Sequence, residues 1–115
     1  MKPAKLVLLT VLLCAALSTG YLASQAQDNK AEVALQAAIK TETVDGDLRG
    51  AIEQYKNIVA LPDAKRATVA TALLRMGQCF EKLGDADLSG ARRAYEKVVQ
   101  EYGDQVAAAA EARAK

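Results

Sequence analysis

The chain of 115 residues contains no His and no Trp, and it has one Phe, two Cys and two Pro. The absence of His removes the commonest general base and the commonest metal ligand of proteins. With so few large aromatic side chains, a core has to be built from close contacts between backbone elements. Neither a Ser/His nor a Cys/His catalytic pair can form, and a zinc site of ordinary composition lacks its ligands.

The chain also lacks an excess of charge of either sign. The 15 Lys and Arg residues nearly balance the 14 Asp and Glu residues, which gives a formal net charge of +1 without a long run of either sign. Nucleic-acid binding would need a basic face, so we predict no nucleic-acid partner. No glycine-rich phosphate loop is present, and we interpret carboxylate pairs such as Glu42 and Asp45 as helix caps. The sequence therefore predicts no enzyme, no cofactor and no metal.

The N-terminal segment 1–26 has the layout of a secretory signal peptide. Two lysines in "MKPAK" precede the apolar run "LVLLTVLLCAAL", and small and polar residues follow. Ser24 and Ala26 are small residues at the two positions that a signal peptidase reads, so we expect cleavage after Ala26. The alternative is an inner-membrane anchor over residues 6–24, because this stretch is about long enough to span a bilayer. We predict no other contact of the chain with a membrane. Both interpretations predict export to the periplasm or cell envelope.

One cysteine remains after such cleavage, because Cys14 lies in the predicted signal peptide. The mature chain, starting at Gln27, therefore has no partner with which Cys79 could form an internal disulfide. Cys79 falls on an apolar helix face between Met76 and Phe80. We interpret it as a buried small hydrophobic residue rather than a reactive thiol.

Apolar residues after the signal peptide recur at spacings of three and four, which predicts an all-α fold of about five helices. The stripes are Leu35, Ala38 and Ile39; Leu48, Ala51, Ile52, Tyr55, Ile58 and Val59; Val69, Leu73, Met76, Gly77 and Phe80; and Ala91, Tyr95, Val98, Val99 and Tyr102. Gly46, Gly84 and Gly103 are predicted to end helices by adopting the left-handed conformation. No alternating pattern predicts a strand.

One phrase occurs twice: "GAIEQYKNIV" begins at Gly50, and "GARRAYEKVV" begins forty residues later at Gly90. A helical hairpin cannot bury its apolar face alone, and stacking of similar hairpins solves that problem. Gly77 costs about 1 kcal/mol relative to Ala inside a helix. We expect that a partner helix crosses at Gly77, and that Ala91 is a second point of close approach.

These residues resemble the tetratricopeptide repeat. The family pattern has large, large, small, aromatic, turn glycine, small, aromatic and apolar positions. In this chain the full pattern is matched by Leu73, Met76, Gly77, Phe80, Gly84, Ala91, Tyr95 and Val98. The second half of the pattern is matched once more, by Gly46, Leu48, Ala51, Tyr55 and Ile58. "ALLRMGQCFEKLGD" and "ARRAYEKVVQEYGDQ" are similar to periplasmic members of bacterial envelopes, such as the Tol–Pal cell-division coordinator and outer-membrane assembly lipoproteins. The resemblance implies a right-handed stack of antiparallel hairpins over residues 27–115, although the spacing of forty departs from the family's 34.

The resemblance further implies a non-catalytic scaffold that binds a protein or peptide of the cell envelope on the concave side, where the first helix of each hairpin lies. The predicted binding residues are Thr71, Leu74, Gln78, Glu81 and Lys82, with Gln36, Lys40 and Thr43 in the first unit. Leu74 is expected to supply an apolar spot. The alternative is a structural or oligomerisation segment of a larger envelope assembly. "VAAAAEARAK" resembles the opening helix of a third unit. Two possibilities therefore stay open: the repeat domain is incomplete at its C-terminal end, and the chain forms a homo-oligomer.

A calcium loop competes for one of the turns. Asp85, Asp87, Ser89 and Glu96 fall at EF-hand ligand spacing over residues 85–96, with Gly90 at the turn position. Two arginines follow that glycine closely and would place positive charge beside the ion. The repeated phrase also demands helix where the loop should be extended. We therefore favour helix caps in this turn and keep calcium binding as the minor alternative.

Overall fold

The computed structural model describes residues 30–115, which contain five α-helices, a short 3-10 turn and no strand. The elements are α1, described over residues 30–43, α2 at Leu48–Val59, α3 at Arg66–Leu83, the 3-10 turn at Asp85–Asp87, α4 at Leu88–Glu101 and α5 at Val106–Arg113. The prediction of a tetratricopeptide-like all-α fold with about five helices is confirmed.

The predicted signal peptide, its cleavage after Ala26 and the alternative anchor at residues 6–24 lie outside the described residues. Among residues 30–115, no helix combines the length and the apolar character that crossing a membrane requires.

The helices form two hairpins and a fifth helix, with α3 at the centre. The α3–α4 hairpin is antiparallel, because the middle of α3 meets the middle of α4 and the end of α3 meets the start of α4. Two clusters of buried residues flank α3. The first joins α1, α2 and α3 through Leu35, Ala38, Ala51, Ile52, Tyr55, Ile58, Ala72 and Cys79. The second joins α3, α4 and α5 through Val69, Leu73, Leu74, Ala91, Tyr95, Val98, Ala109 and Ala112.

Small residues set the distance between α3 and α4. A Cβ atom added at Gly77 would lie 2.5 Å from the Tyr95 ring, and one added at Gly90 would lie 3.0 Å from the Phe80 ring. Ala91, also on α4, is buried. The expectation that a partner helix crosses at Gly77 is confirmed, and the core is close-packed through such contacts rather than through many large side chains.

The ends of the helices follow the sequence signals in part. Gly46 has a φ angle of +68 degrees and Gly84 one of +104 degrees. Both values lie in the left-handed region that favours glycine. The Asp47 side chain caps α2 by accepting a hydrogen bond from the Gly50 N–H at 2.9 Å. Gly103 does not adopt a positive φ, so that prediction is wrong.

Arg66 holds the turn after α4 in place. Its Nε donates to Asp104 Oδ2 at 3.1 Å, a second guanidinium nitrogen donates to the Glu101 carbonyl, and the guanidinium lies 4.7 Å from the centre of the Tyr102 ring. This bidentate and stacked arrangement suits Arg rather than Lys. Although Asp104 is exposed, the Arg66 guanidinium holds the pKa of its carboxyl well below the usual value. The start of α3 is therefore fixed to the α4–α5 turn.

Candidate protein-interaction surface

The helices α1, α3 and α5 lie side by side and are tied together by polar side chains. Thr68 on α3 donates to Glu32 on α1 at 3.4 Å. On the other flank of α3, Gln78 Nε2 donates to Glu111 Oε1 on α5 at 2.8 Å. Lys115, just beyond α5, forms an ion pair with Glu81 at 3.3 Å. These bridges make one surface from three helices, which we call the inner face.

A buried carboxylate anchors one end of the inner face. Glu42 on α1 has a side chain that is only 2% exposed. It accepts a hydrogen bond of 2.6 Å from the Tyr55 hydroxyl on α2, and hydrogen bonds from Arg75 at 3.1 Å and Lys82 at 3.0 Å, both on α3. A buried charge requires this kind of pairing. The interpretation of Glu42 as a helix cap is wrong, because the carboxylate joins three helices.

The electrostatics of this cluster follow from its partners. Burial by itself would raise the pKa of Glu42, but the hydrogen bonds from Tyr55, Lys82 and Arg75 outweigh it and hold the pKa below its ordinary value of 4.5. Burial, with the adjacent Glu42 carboxylate, raises the pKa of the Tyr55 hydroxyl. For the same two reasons the pKa of the Cys79 thiol rises to about 11. Cys79 is fully buried, as its position on an apolar stripe predicted, and such a thiol is inert at neutral pH.

The predicted binding residues of α3 lie where this helix meets α1 and α5 on the inner face. Gln78 and Glu81 face α5 through the contacts given above, and Lys82 faces α1 through Glu42. Thr71 is half-buried and its hydroxyl donates to the Ala67 carbonyl at 2.9 Å, within its own helix. The structure thus brings these four polar residues onto one helix between two neighbours. Three of them also hold those neighbours in place.

Leu74 lies differently from its expected position. Only 8% of the residue is exposed, and it belongs to the second buried cluster together with Ala109 and Ala112 of α5. The helix α5 covers it, so it offers no apolar spot to a partner. Sequence reasoning placed Leu74 at the surface because the position of α5 against α3 was unknown.

The predicted residues of α1 are exposed. Gln36, Lys40 and Thr43 are spaced by four and three residues, so they share one side of the helix. Gln36 donates to Glu32, the same carboxylate that Thr68 of α3 contacts, which places this stripe next to α3. The structure therefore brings the α1 stripe and the α3 residues onto adjoining parts of the inner face.

Two features of this region were missed from the sequence. Val33 and Val44 of the α1 region are 68% and 72% exposed and were not considered as surface apolar groups. Glu42 and Arg75 were not recognised as a pair. A signal for Glu42 existed, because it continues the apolar stripe of Leu35 at a seven-residue spacing, where an ionised side chain needs a partner.

The calcium alternative does not fit the backbone of the turn. The chain is helical from Leu88 onward, so Ser89 and Gly90 lie in the first turn of α4 rather than in an extended loop. Glu96 is exposed in the middle of the same helix. An EF-hand loop needs ligand oxygens that converge from a non-helical segment. Among the side chains that the structure describes in residues 30–115, which do not include that of Asp85, no group of three or more Cys, Asp, Glu or His residues is placed to hold a metal ion.

Comparison with known families agrees with the second hairpin. The family model of the tetratricopeptide repeat matches residues 71–104, which contain most of α3, all of α4 and the crossing of Gly77 with Tyr95. Comparisons with curated proteins and with solved structures found no match. Tetratricopeptide repeats generally mediate protein–protein interactions and are typically non-catalytic. Residues 71–104 therefore form a tetratricopeptide-like repeat within an all-α fold of stacked helical hairpins.

Proposed function

We propose that the protein is a non-catalytic scaffold that binds a partner protein or peptide on the inner face. The observation that carries this proposal is the side-by-side placement of α1, α3 and α5, cross-linked into a single surface by polar contacts. The first buried cluster holds α1 against α3, so this part of the surface is pre-organised, and a pre-organised surface loses little conformational entropy when a partner binds.

The chemistry of the inner face suits a polar, extended or helical segment. Gln36, Lys40 and Thr43 offer an amide, a positive charge and a hydroxyl on α1, and Gln78 offers a second amide on α3. Lys82 keeps 55% of its side chain exposed while it contacts Glu42, so its charge remains accessible. Val33 and Val44 are the exposed large apolar residues of the α1 region, and we expect a partner to contact them in place of Leu74.

Affinity capture from bacterial envelope extracts, followed by calorimetry with each captured protein, tests this proposal. We expect Lys40→Glu and Gln78→Ala to weaken binding by about tenfold or more, because several modest polar contacts share the binding energy. Lys40 is exposed, and the hydrogen bond that Gln78 donates to Glu111 is an exposed contact of the kind that contributes about 1 kcal/mol or less, so the melting temperature should fall by a few degrees at most.

Lys56→Glu on α2 is the matched control for Lys40→Glu. Lys56 is equally charged and exposed, but α2 is the second helix of its hairpin and lies away from the inner face. This variant should bind the partner like the wild type. A partner whose affinity fell with Lys56→Glu and not with Lys40→Glu would place binding on the outer helices and contradict the proposal.

We further propose that the protein is exported and acts in the periplasm or cell envelope, as the resemblance to periplasmic tetratricopeptide proteins suggests. The support is the order of basic, apolar and small residues over positions 1–26. Expression with export and intact-mass measurement should give a chain that begins at Gln27 or within a few residues of it. A mature species that retains residues 6–17 would instead indicate an anchor.

A further inference from the structure

A groove runs between α2 and α4, on the side of the fold away from the inner face. Within residues 30–115, the backbones of these two helices do not approach each other closely, because each packs on α3 instead. The gap between them has a volume of about 280 Å³. This is close to the lower limit of about 300 Å³ for small-molecule sites. Its floor is formed by Leu73, Met76 and Phe80 of α3.

The floor and the adjoining walls of this groove are apolar. Met76, Phe80 and Val59 of α2 are half-buried and pack against both buried clusters. Gly90 of α4 lies against the Phe80 ring and has no side chain with which to cover it. Among the side chains that the structure describes, no hydroxyl, amide or carboxylate group lines the groove. The floor therefore offers an occupant apolar contact and no strong hydrogen-bond partner.

The opening of the groove carries three cations. Lys56 lines it from α2, and Arg93 and Lys97 line it from α4. Lys56 forms an ion pair with Glu53 at 2.8 Å within α2. Lys97 forms one with Glu101 at 3.9 Å within α4. Exposed pairs of this kind contribute little, so either lysine can turn to another anion. Arg93 is exposed and forms no ion pair or hydrogen bond among the described residues.

We propose that this groove binds a fatty acid, that is, a single alkyl chain with a carboxylate head group. The alkyl chain lies on Met76 and Phe80, and the carboxylate meets Arg93 at the opening. Charge complementarity selects an anion, because the groove is lined by three cations and by no carboxylate. An acidic peptide fits less well, since its backbone N–H and C=O groups would lie on a floor that gives them no partner.

The site stands independently of the scaffold function proposed above. It uses the second helix of each hairpin, whereas the inner face uses the first helices and α5. A partner on the inner face therefore leaves this groove open.

Calorimetry of the full chain with sodium decanoate tests the proposal. We expect saturable binding of one decanoate per chain and a rise in melting temperature, since a ligand that binds the folded state stabilises it. Octanoate should bind more weakly because fewer CH₂ groups are buried, and acetate, which has the carboxylate without the chain, should not bind measurably. The absence of saturable binding, or a fall in melting temperature with decanoate, would overturn the proposal. Tighter binding of pentaglutamate than of decanoate would assign the groove to an acidic peptide instead.

Arg93→Glu should raise the dissociation constant of decanoate by about tenfold or more, because a carboxylate would then face the head group. Arg92→Glu is the matched control, since the neighbouring arginine is equally exposed but does not line this groove. Equal losses of affinity in these two variants would contradict the assignment.

Reversing the charge of both partners distinguishes a direct contact from a general effect on the fold. The wild type should bind decanoate more tightly than decyltrimethylammonium, which has the same chain and a positive head group. In the Arg93→Glu, Lys97→Glu double variant this order should reverse, with the helical circular dichroism signal retained. A double variant that keeps its helical signal and still prefers decanoate would overturn the proposal.

Discussion

Replacing Glu42 with Gln should destabilise the protein strongly, because one carboxylate serves three donors. The amide keeps the size of the side chain and can still accept a hydrogen bond from Tyr55. Its oxygen in the Oε2 position can also accept from Arg75. It loses its charge, however, and its NH₂ group in the Oε1 position cannot accept from Lys82. Breaking a buried ion pair from one side typically costs about 3–5 kcal/mol. Here Arg75 and Lys82 keep 31% and 55% of their side chains exposed and can turn to water. We therefore expect a smaller loss of about 2–3 kcal/mol.

Urea unfolding followed by circular dichroism measures this loss. For a domain of this size, about 2–3 kcal/mol corresponds to a fall in melting temperature of roughly 10–20 °C. Glu53→Gln is the matched control, because Glu53 lies on α2 with 69% of its side chain exposed and its ion pair is with Lys56 of the same helix. Exposed pairs contribute little, so this replacement should change the free energy of unfolding by at most about 0.5 kcal/mol.

The same carboxylate predicts a dependence on pH. The pKa of Glu42 is lower in the folded chain than its ordinary value of 4.5, so ionisation stabilises the fold above that value. The stabilisation should be lost as the pH falls below about 4.5 and through the folded pKa. Glu42→Gln should show a shallower loss of stability over that acid range. A variant as stable as the wild type, with an unchanged pH profile, would refute the role of Glu42 in joining the helices.

Three further predictions concern packing and chemistry. Gly77→Leu should cost about 1–3 kcal/mol in thermal melts because its side chain would meet the Tyr95 ring, whereas Ala67→Leu at an exposed position of the same helix should cost little. Cys79 should resist alkylation, mapped by mass spectrometry, until denaturant unfolds the chain, and labelling of the native protein would contradict its burial. Calcium titration by calorimetry should show no saturable heat in the micromolar range, and a stoichiometric site abolished by Glu96→Ala would contradict the helical turn.

Local patterns predicted the helices and their crossing. The stripes around Leu73 and Tyr95 follow from helical spacing, and Gly77 stood out because a glycine inside such a stripe needs a reason. Those features are encoded within a few residues of one another. The buried cluster is different, since Glu42 meets Arg75 and Lys82 across 33 and 40 residues of sequence. Without knowledge of which helix faces lie together, its carboxylate looked like an ordinary helix-end group.

The candidate site was predicted less well for a related reason. Polar residues on α1 and α3 could be assigned to one side of each helix from spacing, and Gln36 and Gln78 lie where that spacing places them. Whether a residue on that side is exposed depends on the neighbouring helix. Leu74 is covered because the alanines of α5 allow that helix to approach closely. The inward face of α5 could not be predicted, because alanines lie on most sides of this helix and its sequence does not distinguish one face from another.

The central position of α3 has a consequence for how the fold opens. Both buried clusters use residues of this one helix, so neither hairpin can lose its structure without removing packing from the other. We therefore expect the amides of α3 to exchange with solvent only through global unfolding. The short helix α5, which is held largely by alanine contacts, should open on its own far more often. Although its sequence contains repeats, we expect the described part of this chain to unfold as a single cooperative unit, with α5 alone opening before the rest.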